Sequence, residues 1–431
     1  VLRNLKQSEE PENAHALLLR LNYWDDTVNP HPSRVGVNMK QPDVPLPDFP
    51  EEARRDLTYL VAVAIDDVGS RDADDALSWE DGRLWVHIAD VAALVSPNSP
   101  ADLEARARGA NLYIPEGTIH MLPAQATAVL ALGLNNTSPA LSFGIDLTSE
   151  GIITGVEIVP STVRVTRISY DEANGRLQDP PFCDLLAAAH AYESRRKANG
   201  AVVIDLPEVK IRLNEAGDVE IRPLPHLKSR DLVQEAMLMT GEAVAQFARE
   251  HNIPIPFRTQ DPPEEVVEGN TPSAMFARRR TMTASQPSST PGLHAGLGLD
   301  QYVQATSPLR RYLDLVVHQQ LRTFLRQEPM LDEQEVMERV AVAHAASRDM
   351  RYAERLSNQH WTAVYLLRQQ KWAGEGIVVD RRGKRDLILL PELGSETSIY
   401  KKEPTPLDET VQIELQSVDL PQREAHFRYK K

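Results

Sequence analysis

Five aspartates fall within ten positions in Asp66-Asp67-Val68-Gly69-Ser70-Arg71-Asp72-Ala73-Asp74-Asp75, directly after an apolar run ending at Ile65. Carboxylates packed this closely repel and raise one another's pKa unless a cation compensates them, and hard oxygen donors are what magnesium prefers. A divalent ion is the chemistry implied. A calcium loop of the EF-hand type needs glycine at its sixth position and glutamate at its twelfth. Counted from Asp66 those places hold Arg71 and Leu77, and from Asp72 they hold Leu77 and Arg83, so both registers fail. The plainer alternative is a solvated turn whose aspartates cap the backbone. A second constellation is Ala305-Thr306-Ser307-Pro308-Leu309-Arg310-Arg311-Tyr312-Leu313-Asp314. Ser307 and Pro308 predict a helix start, which puts Arg310 and Arg311 in a first turn that favours anions. A phosphate would be such an anion. An ion pair from Arg310 to Asp314 would account for one arginine and leave the other.

The elements around these residues mix strands and helices. Residues 10–23 carry a helix-like apolar pattern, and the proline-rich stretch 29–50 reads as extended linker. The run from Leu60 to Ile65 reads as a strand, followed by a hairpin turning at Asp81-Gly82. Ser99, Pro100 and Asp102 mark a helix N-terminus. A second hairpin is expected across 141–165, helices over 183–198, 230–251, 308–327 and 333–371, and a long loop over 261–299. Beyond the last helix, five short strands in about sixty residues suggest a small OB-type barrel.

IDDVGSRDADDAL and ATSPLRRYLDLVVH together resemble the aspartate and arginine motifs of the RNB catalytic domain of the ribonuclease II family. HIADVAALV, ANLYIPEGTIHMLP, LSFGIDL and VQEAMLMTGEAVA resemble further family segments in the expected order, so the similarity runs from Leu57 to Gln370. It implies an α+β fold: an RNB catalytic domain with a mixed sheet and helices over 57–371, flanked by a small helical N-terminal domain over 1–56 and a C-terminal OB-fold β-barrel over 372–431. It implies a processive 3′→5′ exoribonuclease that hydrolyses single-stranded RNA to nucleoside 5′-monophosphates, without cleaving DNA, with Mg2+ or substituting Mn2+ as cofactor. The family's metal-site aspartates fall on Asp66, Asp72, Asp74 and Asp75, leaving Asp67 outside the pattern, and the chemistry centres on Asp74, Asp75 and Arg310. Arg310 corresponds to the phosphate-binding arginine, with Arg311 beside it for a neighbouring phosphate. Tyr113 matches the tyrosine that stacks on the terminal base, and Glu354 a glutamate near the terminal ribose. Ile204 stands where the family more often has an aromatic residue. The stretch before Leu57 is short for the paired cold-shock domains common in the family. A non-catalytic RNA-binding scaffold on an RNB fold is the alternative.

The net charge of −15 argues at first against a polyanionic partner. Carboxylates gathered for metal add negative charge without harm, provided arginine and lysine line the approach. Arg195-Arg196-Lys197, Arg278-Arg279-Arg280 and Arg310-Arg311 are the candidate clusters. A single cysteine, Cys183, excludes a disulfide framework, and no apolar run reaches membrane-spanning length, so a soluble protein of the reducing cytoplasm is expected. His87, His120 and His318 lack metal-ligand spacing.

Overall fold

The computed structural model describes residues 1–70 and 72–430. Its centre is a seven-stranded mixed sheet in the order Arg55–Asp56, Ile153–Val163, Ser138–Leu147, Arg83–Ala89, Asp75–Glu80, Ala62–Asp66 and Val165–Ser169. The inner pairs are antiparallel, and both edge strands run parallel to their neighbours. Period-two alternation sorts side chains to two buried faces. Leu84, Val86 and Ile88 join Val63, Ile65 and Leu77 against the helices Phe182–Ala198 and Lys228–Glu250. Trp85 and Ala89 point the other way, onto the helices Pro100–Arg108 and Tyr312–Leu325 and the start of the long helix Glu333–Arg368. His87 shares that second face, buried between the hydroxyls of Ser78 and Ser142, a core histidine rather than a ligand.

The Asp81-Gly82 turn forms with positive φ at both residues, the geometry that matches strand twist in a two-residue hairpin. Ser99 accepts a hydrogen bond from the Asp102 N–H ahead of Pro100, and Asp332 with Glu335 closes a reciprocal cap on the long helix. Two expectations need correction. The segment 261–299 contains the helix Pro272–Thr281, capped by Thr271, and the short strand Gln286–Ser288. The linker 29–50 likewise contains the short helix His31–Val35. C-terminally, strands Ala373–Arg382, Arg385–Leu390, Ser395–Tyr400, Thr410–Asp419 and Glu424–Tyr429 form an antiparallel sheet whose end strands approach each other, a nearly closed barrel around Val378, Ile388, Leu390 and Ile413. Among the described residues no helix is long and apolar enough to cross a membrane.

The helix Pro11–Arg20 and the turn of helix at His31–Val35 dock on the long helix through three fully buried histidines, His15, His31 and His360. Ring centroids of His15 and His360 lie 6.1 Å apart, those of His31 and His360 5.6 Å, and Trp24 closes on His15 at 5.4 Å. Among the described residues no ring nitrogen of His15 or His360 has a hydrogen-bond partner of good geometry. Burial pushes the three pKa values down to about 4, 3 and 4 for His15, His31 and His360, with Arg34 and Arg423 adding to the effect on His15 and His31. The unfolded segment binds protons near pH 6.5 that the docked segment refuses, so the stability these rings contribute is complete above that pH and is lost as pH falls toward 4. Hydrogen exchange of residues 11–36, corrected for intrinsic rates, should therefore rise between pH 7 and pH 5 while the central sheet stays protected. Equal protection at both pH values would contradict this.

Candidate active site

Both sequence motifs arrive at one place. Strand Ala62–Asp66 delivers Asp66 at its end, the chain turns through Gly69 at φ 81°, and Asp75 opens the antiparallel strand Asp75–Glu80. The Asp67 N–H donates to Asp66 Oδ1 at 2.7 Å. The Ser70 hydroxyl donates to Asp66 Oδ2 and lies 3.4 Å from Asp72 Oδ1, so one hydroxyl spans two carboxylates. Arg71, inside this motif, lies outside the described residues.

Asp74 is 2% exposed. Its Oδ1 accepts the Leu309 N–H at 2.8 Å, and its Oδ2 lies 3.0 Å from Arg310 Nε. That second oxygen is buried and, among the described residues, makes no hydrogen bond of good geometry, so the arginine contact is a charge contact. Burial pushes Asp74 up to about 7 and Asp75 up to about 6, and Arg310 opposes the rise in both. Burial in turn works against the Arg310 charge, but Asp74, Tyr113, Asp75 and Asp66 outweigh it and raise the guanidinium's pKa. Arg310 is therefore the electrostatic hub of the acidic loop.

The helix expected to open at Ser307-Pro308 begins instead at Tyr312; Pro308–Arg310 form a turn and Arg311 is the extended N-cap residue. The reason is tertiary. Gly109 and Asn111 capture this backbone, with the Tyr312 N–H donating to Gly109 O at 2.9 Å and the Asn111 N–H to Arg310 O at 3.0 Å. Any side chain at Gly109 would meet the Ala343 carbonyl at 2.6 Å. Asp314 accepts the Ser307 N–H at 2.9 Å and takes Arg311, not Arg310, as its ion-pair partner at 2.6 Å. Arg311 thus has a carboxylate of its own, and Arg310 faces the aspartates.

Tyr113 sits on the short strand Leu112–Ile114 and is 42% exposed. Its N–H donates to Glu354 Oε1 at 2.7 Å and its hydroxyl accepts from Asn111 Nδ2 at 3.2 Å. Burial of the hydroxyl pushes its pKa up to about 12, with Arg310 opposing and Asp72 and Asp74 adding. The phenol therefore ends beside the acidic loop while much of the ring is open. Glu354 holds the backbone of that strand, and burial raises its carboxyl pKa. Ile204 lies exposed in the irregular segment after Phe182–Ala198, outside every packed apolar cluster of the described residues. Sequence reasoning missed Tyr170. Burial, Asp75 and Asp66 raise its pKa, and the guanidinium of Arg230 lies 4.1 Å from its ring centre. No local pattern marks it, because its position comes from the parallel pairing of Ser169 with Asp66.

The donor chemistry fits a divalent cation: four hard carboxylates on one loop, a buried Asp74 oxygen without a hydrogen bond among the described residues, and two carboxyls that burial alone leaves costly to ionise. Among the described residues, however, no three acidic or histidine side chains converge on a common point. Ser70 and Arg310 occupy the inner oxygens instead.

The basic clusters are mostly spent on internal partners. Arg195 pairs with Glu242, Arg196 with Glu235, Arg279 with Glu396 and Arg280 with Asp380, while Arg278 binds backbone carbonyls. Arg258 and Arg351 have no carboxylate within 4.0 Å among the described residues; burial lowers the Arg258 pKa, and the nearby charges of Arg351 and, more weakly, Arg311 add to the effect.

The architecture is thus a mixed sheet that presents an acidic loop to an arginine turn, followed by an OB-type barrel. The RNB domain model matches residues 54–270 and 266–327, and the RNase II-type exonuclease C-terminal S1 domain matches residues 372–430. The chain belongs to the RNB family. It is 35% identical to an uncharacterised ribonuclease of Synechocystis sp. over 99% of this chain and 69% of that protein. With the chloroplastic/mitochondrial ribonuclease II of Arabidopsis thaliana it shares 31% identity over 86% of this chain and 49% of the relative, so it spans about half of that protein's length. The fold matches Mycoplasma genitalium RNase R, solved with ribose-methylated single-stranded RNA, at TM-score 0.77 and 20% identity over 98% of this chain and 79% of that one. It also matches yeast Ssd1, described as a pseudonuclease, at TM-score 0.67 and 19% identity over 84% and 52% of the two chains.

Proposed function

We propose that this chain is a processive 3′→5′ exoribonuclease that hydrolyses single-stranded RNA to nucleoside 5′-monophosphates. The observation that carries the reading is the contact of Asp74 with Leu309 and Arg310, which joins the acidic loop to the arginine turn below the open ring of Tyr113. Asp66, Asp72, Asp74 and Asp75 would hold Mg2+ or Mn2+, which would supply an activated water and stabilise the departing 3′ oxygen. Arg310 meets the charge that develops on the scissile phosphate, a task suited to a planar fork of donors. Tyr113 stacks on the terminal base, and stacking is indifferent to base identity. Arg258 and Arg351 are cations available to a phosphate upstream.

The test uses one single-stranded RNA labelled at either end. With metal present, 3′ label should leave at once as mononucleotide and 5′ label should finish in a short oligomer; EDTA should stop both. DNA of the same sequence should bind and remain uncut. The likeness to a pseudonuclease favours a second reading, an RNA-binding scaffold. Binding without shortening in the presence of metal would establish that reading instead. Tyr113→Ala should lengthen the 5′-labelled limit product, and an unchanged product would leave Tyr113 a packing residue.

A further inference from the structure

Asp67 carries a charge that the family's aspartate pattern does not use, and the structure commits it fully. Its Oδ2 pairs with Lys210 on strand Val209–Leu213, and its Oδ1 with Arg230 at 2.6 Å on helix Lys228–Glu250. All three side chains are about one-third exposed, so the pairs are largely shielded from water. Arg230 also lies on the face of Tyr170, beside Asp66 and Asp75. The same loop is tied at its other end, where Arg167 donates to Ser70 O at 2.7 Å. The hairpin that bears Lys210 also reaches the residue just after the Tyr113 strand, its Leu213 N–H donating to Pro115 O at 3.0 Å.

We propose that Asp67 is a positioning residue whose paired bonds to Lys210 and Arg230 pin the backbone of residues 66–70, and with it the Asp66 carboxylate and the Ser70 hydroxyl between Asp66 and Asp72, for the binding of a divalent cation. The inference rests on the metal reading above. Asp66 Oδ1 is bonded to the N–H of Asp67 itself, so the Asp66 carboxylate is held by the very backbone that the latch fixes. Groups that orient metal ligands from behind commonly change metal affinity by about 10–100-fold when removed.

Charge signs separate this role from a simple field effect. A field acting through space predicts that Asp67→Asn weakens cation binding, whereas Lys210→Met and Arg230→Met strengthen it. A latch predicts that all three weaken it. Mn2+ binding, followed by the loss of the free-ion electron paramagnetic resonance signal without RNA, should show a dissociation constant raised about tenfold or more in each variant. Arg83→Met, which cuts the ion pairs to Asp146 and Glu157 elsewhere on the sheet, should leave Mn2+ affinity unchanged and so controls for general loosening. In metal-free protein, hydrogen exchange at residues 67–70 should rise in the three latch variants and not in Arg83→Met. Opposite signs for the acidic and basic variants, or unchanged loop exchange with Mn2+ binding intact, would overturn the latch alone. A wild-type protein that binds no Mn2+ would overturn the metal reading and the latch with it.

Discussion

Asp74→Asn should lower the rate of RNA hydrolysis by roughly a thousandfold or more while RNA affinity stays the same or rises. Losing a metal that stabilises transition-state charge costs several kcal/mol, and each 1.36 kcal/mol is about tenfold in rate. The structure says why the fold should survive. Asparagine can keep its side-chain oxygen on the Leu309 N–H, so the link from the acidic loop to the 307–311 turn persists. What changes is the second position, where an amide would face Arg310 Nε in place of a carboxylate. Two donors cannot share that contact, so Arg310 is freed toward the phosphate and binding does not fall. Single-turnover cleavage of 3′-labelled RNA, measured beside fluorescence anisotropy on the same oligomer, reads both quantities. Normal cutting by the variant would remove Asp74 from the site.

Arg310→Ala should cost about a hundredfold to a thousandfold in the cleavage step, the range found when one preorganised donor to a developing anion is deleted. Arg310→Lys should recover little of it. Nε of Arg310 faces Asp74 and one Nη donates to the Ser307 hydroxyl at 3.2 Å, an arrangement that uses the edge of a planar fork and leaves its remainder for substrate. A lysine ammonium supplies the charge at a single point and cannot span both partners. The loss should appear in the single-turnover rate more than in RNA affinity, because the contact strengthens as charge develops. Equal rates for arginine and lysine would mean that net charge alone is required, and full activity in Arg310→Ala would exclude the residue from the chemistry.

Local signals in the sequence carried much of the architecture. The Asp81-Gly82 turn, the Ser99-Pro100 cap and the alternation along Arg83–Ala89 are rules of neighbouring residues, and each is realised. The crowding of Asp66, Asp72, Asp74 and Asp75 on one strand-and-loop segment was equally legible. What escaped is set by distant chain. Ser307-Pro308 has the composition of a helix start, yet the bonds from Gly109 and Asn111 delay the helix to Tyr312, which hands Asp314 to Arg311. Thr271-Pro272 was a helix start hidden in a stretch whose proline and serine content suggested only loop. Tyr170, Lys210 and Arg230 reach the acidic loop through sheet pairing and helix packing, and the burial of His15, His31 and His360 against one another depends on three separate helices. Periodicity within a window holds no information about such meetings.

The bond from Leu309 to Asp74 closes a separation of 235 positions. A ribosome adding about 5–20 residues per second needs roughly ten to fifty seconds to cover that interval. For all of that time the emerging polypeptide carries the acidic loop without its arginine, next to the messenger that encodes it. Contacts of such long sequence separation also form late in folding, after their loop-closure entropy has been met. A half-made chain therefore holds an incomplete site: the aspartates and Arg310 can meet only after the ribosome has passed the 307–311 turn and the helix Tyr312–Leu325 beyond it.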